Sequence, residues 1–159
     1  MKIIKNFLDK EQHKKIKNLF LSSNFAWYHI EHQVKEQKDN SYFCHSFIKN
    51  GVINSGFYNE DIKSILIKLK VNMVSEVRAN LMLRDKYRYT SAYHIDRDFK
   101  CNTAIYYVNT NDGYTEFEKS KEKILSEENK IIIFNSKLKH RAVSPTNKQH
   151  RFVININYI

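Results

Sequence analysis

The sequence predicts an α+β chain that is mainly β, a small barrel or sandwich with helices packed on one side. Three observations predict it. Apolar residues recur at helical spacing in two segments, both in the N-terminal half. Downstream the period shortens to two over six further segments, as strands require. Helices early and a run of short strands afterwards is an α+β order, unlike alternating βαβ units.

The elements follow in chain order. Asp9 with Gln12 resembles a capping box, and Ile16, Leu19 and Phe20 follow at helical spacing, so the first helix is predicted over 9–22. Residues 25–33 and 41–48 are rich in aromatics, nearly alternate, and read as strands. Glu60 or Asp61 opens a second helix, to 70, whose Ile62, Ile65, Leu66 and Leu69 make one apolar stripe. Strands are then predicted at 77–83, 93–96, 102–108, 114–117, 130–134 and 151–158, with Asn111-Asp112-Gly113 as a turn between two of them.

Composition bounds the class. A chain of 159 residues fits one domain over 1–159, since at this length roughly 70% of the unfolded surface is hidden on folding. A hydrophobic content of 42% excludes an intrinsically disordered chain. No run of about 18 apolar residues exists to span a membrane as a helix. Residues 1–9 break into charge too early for a signal-peptide core. Cys44 and Cys101 are too few for a disulfide framework, and a cytoplasmic location is expected. Three glycines and one proline leave no flexible linker.

The formal charge is +10, divided as +5 over residues 1–70 and +5 over 71–159, so there is no basic tail. Of the 27 cationic residues 21 are lysine, in a chain also rich in Ile and Asn. Solvated surface lysines account for this better than a dedicated polyanion site, although the summed field still attracts acidic partners, nucleic acid among them.

His94-Ile95-Asp96 is the first feature with chemical content. On a strand, residues i and i+2 share a face, so His94 and Asp96 converge on one point. Alone the triplet means little, because 7 His and 7 Asp yield about 0.3 such triplets by chance. A partner downstream raises it. His140 follows the apolar strand 130–134 and a short polar turn, where an adjacent strand returns, and Arg151 opens the last strand. Two imidazoles and a carboxylate on one face match the set that holds Fe(II) with positions left open. An arginine from the next strand supplies a planar fork for a distal carboxylate.

At these residues the sequence resembles the iron- and 2-oxoglutarate-dependent dioxygenases of the prolyl-4-hydroxylase-like group, including small members from phages and marine bacteria. Thr103-Ala104-Ile105-Tyr106-Tyr107-Val108-Asn109 is similar to the Thr-x-Ile-Tyr-Tyr-x-Asn strand of animal prolyl hydroxylases. Residues 111–117 resemble the Gly-Gly-x-Thr/Leu-x-Phe segment that follows it, with Asp112 in place of one Gly, and 133–140 resemble the strand and turn that deliver the distal histidine.

The resemblance implies a double-stranded β-helix (jelly-roll) core, with the N-terminal helices backing one sheet and iron between the two. It implies His94, Asp96 and His140 as catalytic metal ligands. Arg151 is implied as the clamp on the C5 carboxylate of 2-oxoglutarate, with Tyr107 donating to that carboxylate and Thr103 lining the same pocket. Fe(II), 2-oxoglutarate as cosubstrate and O2 are the implied cofactors, with ascorbate admitted. The implied reaction hydroxylates a C–H bond while 2-oxoglutarate becomes succinate and CO2, on a protein or peptide side chain. Two alternatives stay open: a nucleic-acid base oxidase or demethylase of the same superfamily, and a jelly-roll metal-binding module without turnover.

Other residues carry plainer expectations. Asp98 reads as a loop acid, Arg141 as a surface charge with lining of the substrate mouth as the alternative, and His150 as turned away from the metal. His29 and His32 read as surface residues, and His45 as a hydrogen-bonded core or edge histidine. Cys101 reads as a small buried hydrophobe and Trp27 as core. Asn80 and Met82 alternate on the strand before the metal motif, where the resemblance places one of them at the cosubstrate pocket.

Overall fold

The computed structural model describes residues 1–31 and 41–159. Its elements are β1 (Lys2–Ile4), α1 (Lys10–Leu21), β2 (Tyr28–Ile30), β3 (Tyr42–Lys49), β4 (Val52–Ile53), a π-helical turn (Tyr58–Ile62), α2 (Lys63–Leu69), β5 (Val74–Leu83), β6 (Asn102–Tyr107), β7 (Tyr114–Phe117), β8 (Lys123–Leu125), β9 (Lys130–Asn135), β10 (His140–Val143) and β11 (His150–Tyr158). The major sheet runs β1-β9-β6-β11-β5-β3-β2, with β4 added on β3, and the minor sheet runs β10-β7-β8. Among the described residues every pairing is antiparallel, the arrangement of a double-stranded β-helix with two unequal sheets.

The alternation read in the sequence is what sorts residues between the two faces of the major sheet. Val77, Ala79 and Leu81 of β5, Ala104 and Tyr106 of β6, and Phe152, Ile154 and Ile156 of β11 pack against Phe20, Ile62, Ile65 and Leu66 from the helices. Their neighbours one position along point the other way. Ile105, Tyr107, Ile132, Phe134 and Val153 meet Phe117 and Ile124 of the minor sheet. The helices thus back one face, and the second face and the minor sheet enclose the space between them.

Local rules explain the helix ends. The Asp9 side chain accepts from the Gln12 N–H at 2.8 Å, satisfying one of the orphan donors at the start of α1. The second helix opens on a π-helical turn instead of a capped first turn, with Ile62 at the N-cap position and no side-chain hydrogen bond from it. At its far end Lys70 adopts a left-handed conformation (φ 54°) and its N–H returns to the carbonyls of Leu66 and Ile67.

Two expectations are corrected. Residues 93–96 form no ladder strand; the stretch is held by an isolated bridge, His94 to His140. Four short strands, β1, β4, β8 and β10, lie outside the predicted ones, because their two to four residues show no apolar alternation. His32 lies outside the described residues. Among those described, no helix is long and apolar enough to cross a membrane.

Candidate metal centre

The His94–His140 bridge does the work expected of a strand. The N–H of each residue donates to the carbonyl of the other, both at 3.0 Å, which puts the two side chains on one side with ring centroids 4.7 Å apart. The Asp96 N–H donates to Ser136 O at 3.1 Å and carries the carboxylate to the same place. His94 Nε2 lies 3.8 Å from Asp96 Oδ1, and His140 Nε2 lies 3.8 Å from Asp96 Oδ2. One ligand atom from each residue falls within 4.8 Å of the others.

The surroundings prepare these groups as ligands. His94 Nδ1 sits 3.1 Å from Ala92 O and His140 Nδ1 sits 2.9 Å from Leu138 O, in each case a carbonyl two residues back. A carbonyl only accepts, so both rings hold their proton on Nδ1 and turn the Nε2 lone pair inward. His140 is buried against Phe117 and Phe134. That burial lowers its pKa, with Asp96 and Leu138 O opposing and His94 adding, which favours the neutral ring a metal needs. Asp96 accepts from the Thr103 hydroxyl at 2.8 Å and has the Asn155 amide 3.4 Å from both oxygens. Two imidazoles and an oriented carboxylate fit Fe(II), and the same donors take Zn(II) or Ni(II).

The second half of the site is a buried cation. Arg151 is 2% exposed, and its guanidinium is met by neutral groups: Nε donates to Ser126 Oγ at 2.9 Å, Nη2 to Thr115 Oγ1 at 3.2 Å, and Nη1 lies 3.6 Å from Met82 Sδ. Among the described residues it pairs with no carboxylate. Burial lowers its pKa, partly offset by Tyr107 and Tyr89, yet a guanidinium stays charged at neutral pH. A charge desolvated without a counter-ion costs several kcal/mol or more, so this one calls for an anionic ligand. Arg151, Thr115, Asn80, Val153 and Asn155 line the cleft that also holds His94 and His140.

Several side chains differ from expectation in detail. The Thr103 hydroxyl lies between Asp96 Oδ2 and Asn157 Oδ1 and braces the carboxylate. The fully buried Tyr107 donates to Thr115 Oγ1 at 2.9 Å, under the Arg151 guanidinium. Burial pushes its hydroxyl pKa up to about 12, against Arg151 and Thr115, so it remains a donor. Arg141 is no free surface charge: it lines the cleft, binds Glu116 Oε2 through Nε at 2.6 Å and lies over the Tyr93 ring. Asp112 accepts from the Thr146 hydroxyl and from the N–H groups of Thr146 and Asn147, tying the turn before β7 to the turn before β11.

The other expectations hold. His150 stacks on Phe152, Asp98 and His29 are exposed, and Cys101 is buried and unpaired. Trp27 stacks on Phe152 in the core. His45 is a core histidine held by Ala26 O at 2.7 Å and Ser55 Oγ at 2.8 Å. Asn80 lines the cleft and Met82 touches Arg151. Arg78, Thr115, Ser126 and Asn155 were not singled out from sequence. Polar residues at alternate positions of otherwise apolar strands, 76/78/80 and 151/155/157, were the signal that could have found Arg78 and Asn155.

No family model matches the chain, and no curated protein matches it in sequence. Solved structures do. A 2OG-Fe(II) oxygenase family oxidoreductase from Burkholderia pseudomallei is similar at a TM-score of 0.74 and 9% identity, over 98% of this chain and 83% of that one. A Pseudomonas putida prolyl-4-hydroxylase is similar at a TM-score of 0.68 and 12% identity, over 99% of this chain and 91% of that one. A Trichoplax adhaerens prolyl hydroxylase, solved with a hypoxia inducible factor peptide fragment, is similar at a TM-score of 0.64 and 16% identity, over 99% of this chain and 82% of that one. At these identities the likeness shows the fold, and it is the oxygenase fold that the resemblance implied.

Proposed function

We propose that this protein is an Fe(II)- and 2-oxoglutarate-dependent dioxygenase that hydroxylates a C–H bond of a protein or peptide side chain, with 2-oxoglutarate becoming succinate and CO2. One observation carries the reading: a buried arginine, without a counter-ion among the described residues, shares a cleft with a His-Asp-His group. A bare metal-binding module has no need of that arginine. The peptide substrate rests on the prolyl hydroxylases among the similar structures, and a cytoplasmic setting on the two unpaired cysteines.

The residues divide the task. His94, Asp96 and His140 would hold the iron, and bound iron supplies the activation of oxygen that the chain's own groups lack. Thr103 and Asn155 keep the Asp96 carboxylate turned towards the histidines. Arg151 pairs the far carboxylate of the cosubstrate, and Ser126 and Thr115 hold its guanidinium in place. The Tyr107 hydroxyl fixes Thr115 from beneath. Phe117 and Phe134 exclude water behind His140.

The test is anaerobic addition of Fe(II) and 2-oxoglutarate to the purified protein, followed by the weak visible charge-transfer band of the chelate. The band is expected in wild type, lost in His140→Ala and weakened in Arg151→Ala. Its absence from folded, iron-loaded wild type refutes the reading. A nucleic-acid base as substrate predicts instead oligonucleotide binding that falls steeply with salt.

A further inference from the structure

Once the cosubstrate has been given its partners, one cation of the cleft remains unused. Strands β5 and β11 pair so that Met82 faces Arg151, Asn80 faces Val153 and Arg78 faces Asn155. Arg78 and Arg151 thus mark the two ends of one row, four strand positions or roughly 13 Å apart. Asn155, opposite Arg78, is the residue that approaches Asp96, so the metal group lies at the Arg78 end. A dicarboxylate with one end on Arg151 and the other on the metal leaves Arg78 free for something else.

Arg78 is incompletely satisfied. Among the described residues its Nε is buried without a hydrogen-bond partner, and so is that of Arg97. Arg78 Nη1 lies 3.9 Å from Glu76 Oε1, beyond hydrogen-bond range, while Glu76 Oε2 is ion-paired with Arg97 Nη2. One carboxylate between two guanidiniums leaves a positive charge over. Asp96 also faces Arg78, but its oxygens are turned to the histidines. One inward position along the strand, Asn80 Oδ1 is buried and unpartnered as well. Composition sharpens the point. The chain has only six arginines against 21 lysines, yet Arg78, Arg141 and Arg151 all line this cleft. Arg141 is neutralised by Glu116.

Resting on the oxygenase reading, we propose that Arg78 forms the charged part of the primary-substrate subsite. Arg78 pairs a carboxylate of the substrate through its planar fork. The substrate is therefore an acidic group, held at the metal's flank away from the cosubstrate clamp. Its chemistry is that of an aspartate or glutamate within a peptide, or of the free amino acid.

The experiment uses protein loaded anaerobically with Fe(II) and 2-oxoglutarate, as wild type, Arg78→Met and Arg78→Lys. The probes are capped peptides carrying aspartate or glutamate, the free acids, the amide counterparts of each, and a single-stranded oligonucleotide. Perturbation of the charge-transfer band reports binding beside the metal, and succinate formed after admitting air reports coupled turnover. In wild type the acidic probes are expected to bind at least about tenfold more tightly than the amides, as loss of a charged hydrogen bond implies. That preference is expected to vanish in Arg78→Met and return in part in Arg78→Lys, while 2-oxoglutarate binding stays within about threefold of wild type. Peptides and free acids read separately name the source of the carboxylate. Equal response to acids and amides, no response to any acidic probe, or response to the oligonucleotide alone overturns the proposal. A weakening of 2-oxoglutarate itself in Arg78→Met also overturns it, by making Arg78 a cosubstrate ligand. Absence of the band in wild type strikes the oxygenase reading instead.

Discussion

Gly113 tests whether the Arg151 clamp is placed by close packing. Its φ is not positive, so its importance is space. A Cβ built there would lie 2.6 Å from Arg151 Cδ, 2.8 Å from Asn111 Oδ1 and 2.8 Å from Val143 O. Ordinary carbon–carbon contact is about 3.5 Å or more, so Gly113→Ala forces a displacement of roughly 1 Å. The Val143 carbonyl is backbone on β10 and Asn111 Oδ1 holds the Gly113 N–H, so the arginine stem is the easiest to move. Its guanidinium would then leave Ser126 and Thr115, now 2.9 and 3.2 Å away. Overpacking of this kind costs about 1–3 kcal/mol, a fall in melting temperature of roughly 2–12 °C at this size. Affinity for 2-oxoglutarate should fall by about tenfold or more, since a charged hydrogen bond is misplaced. Gly56→Ala is the control, with nothing within 4 Å of its Cβ and no positive φ. Calorimetry and 2-oxoglutarate titration of both variants decide the matter. If Gly113→Ala melts and binds like Gly56→Ala, the idea that this glycine makes room for the clamp is wrong.

Two further outcomes are expected. Thr103→Val removes the hydroxyl that braces Asp96 while keeping its shape, and should weaken Fe(II) binding about 10–100-fold with little change in far-ultraviolet circular dichroism; unchanged metal affinity in an anaerobic titration would show that Thr103 has no hold on the ligand. At Asp112, burial pushes the carboxyl pKa up, but the hydrogen bonds from Thr146 and Asn147 and the Arg88 charge prevail and hold it below the ordinary value. A depressed folded-state pKa stabilises fully above the unfolded value, about 3.9, and that stability is lost as pH falls through the lower folded value. Urea midpoints from about pH 6 to pH 3 should therefore drop less steeply in Asp112→Asn than in wild type, and parallel curves would contradict the assignment.

The resemblance puts Asp112 in place of one glycine of the similar segment, and the structure shows a use for the carboxylate there. The carboxylate ties two turns that are 34 residues apart in the chain. Thr103 is a similar case. Its place on β6 was legible, but its bond to Asp96 depends on how the segment after β5 crosses the sheet. Edge strands such as β10 were missed because His-Arg-Ala-Val has no apolar period, and its pairing with β7 is made through backbone groups that every residue carries.

What the sequence by itself determined is what local periodicity controls. Alternation separated Ala104 and Tyr106 from Ile105 and Tyr107, which pack on the helix side and the inter-sheet side respectively, and spacing picked out His94, Asp96, His140 and Arg151. Which face a residue takes depends on its neighbours one or two positions away, and those are written in the chain. Only the tertiary structure decided what the inward faces meet: Arg78 beside Asn155 and short of a counter-ion, Arg151 among neutral partners, Tyr107 beneath Thr115. Those contacts join residues as many as 77 positions apart. They follow from sheet register and loop closure, which no local pattern encodes.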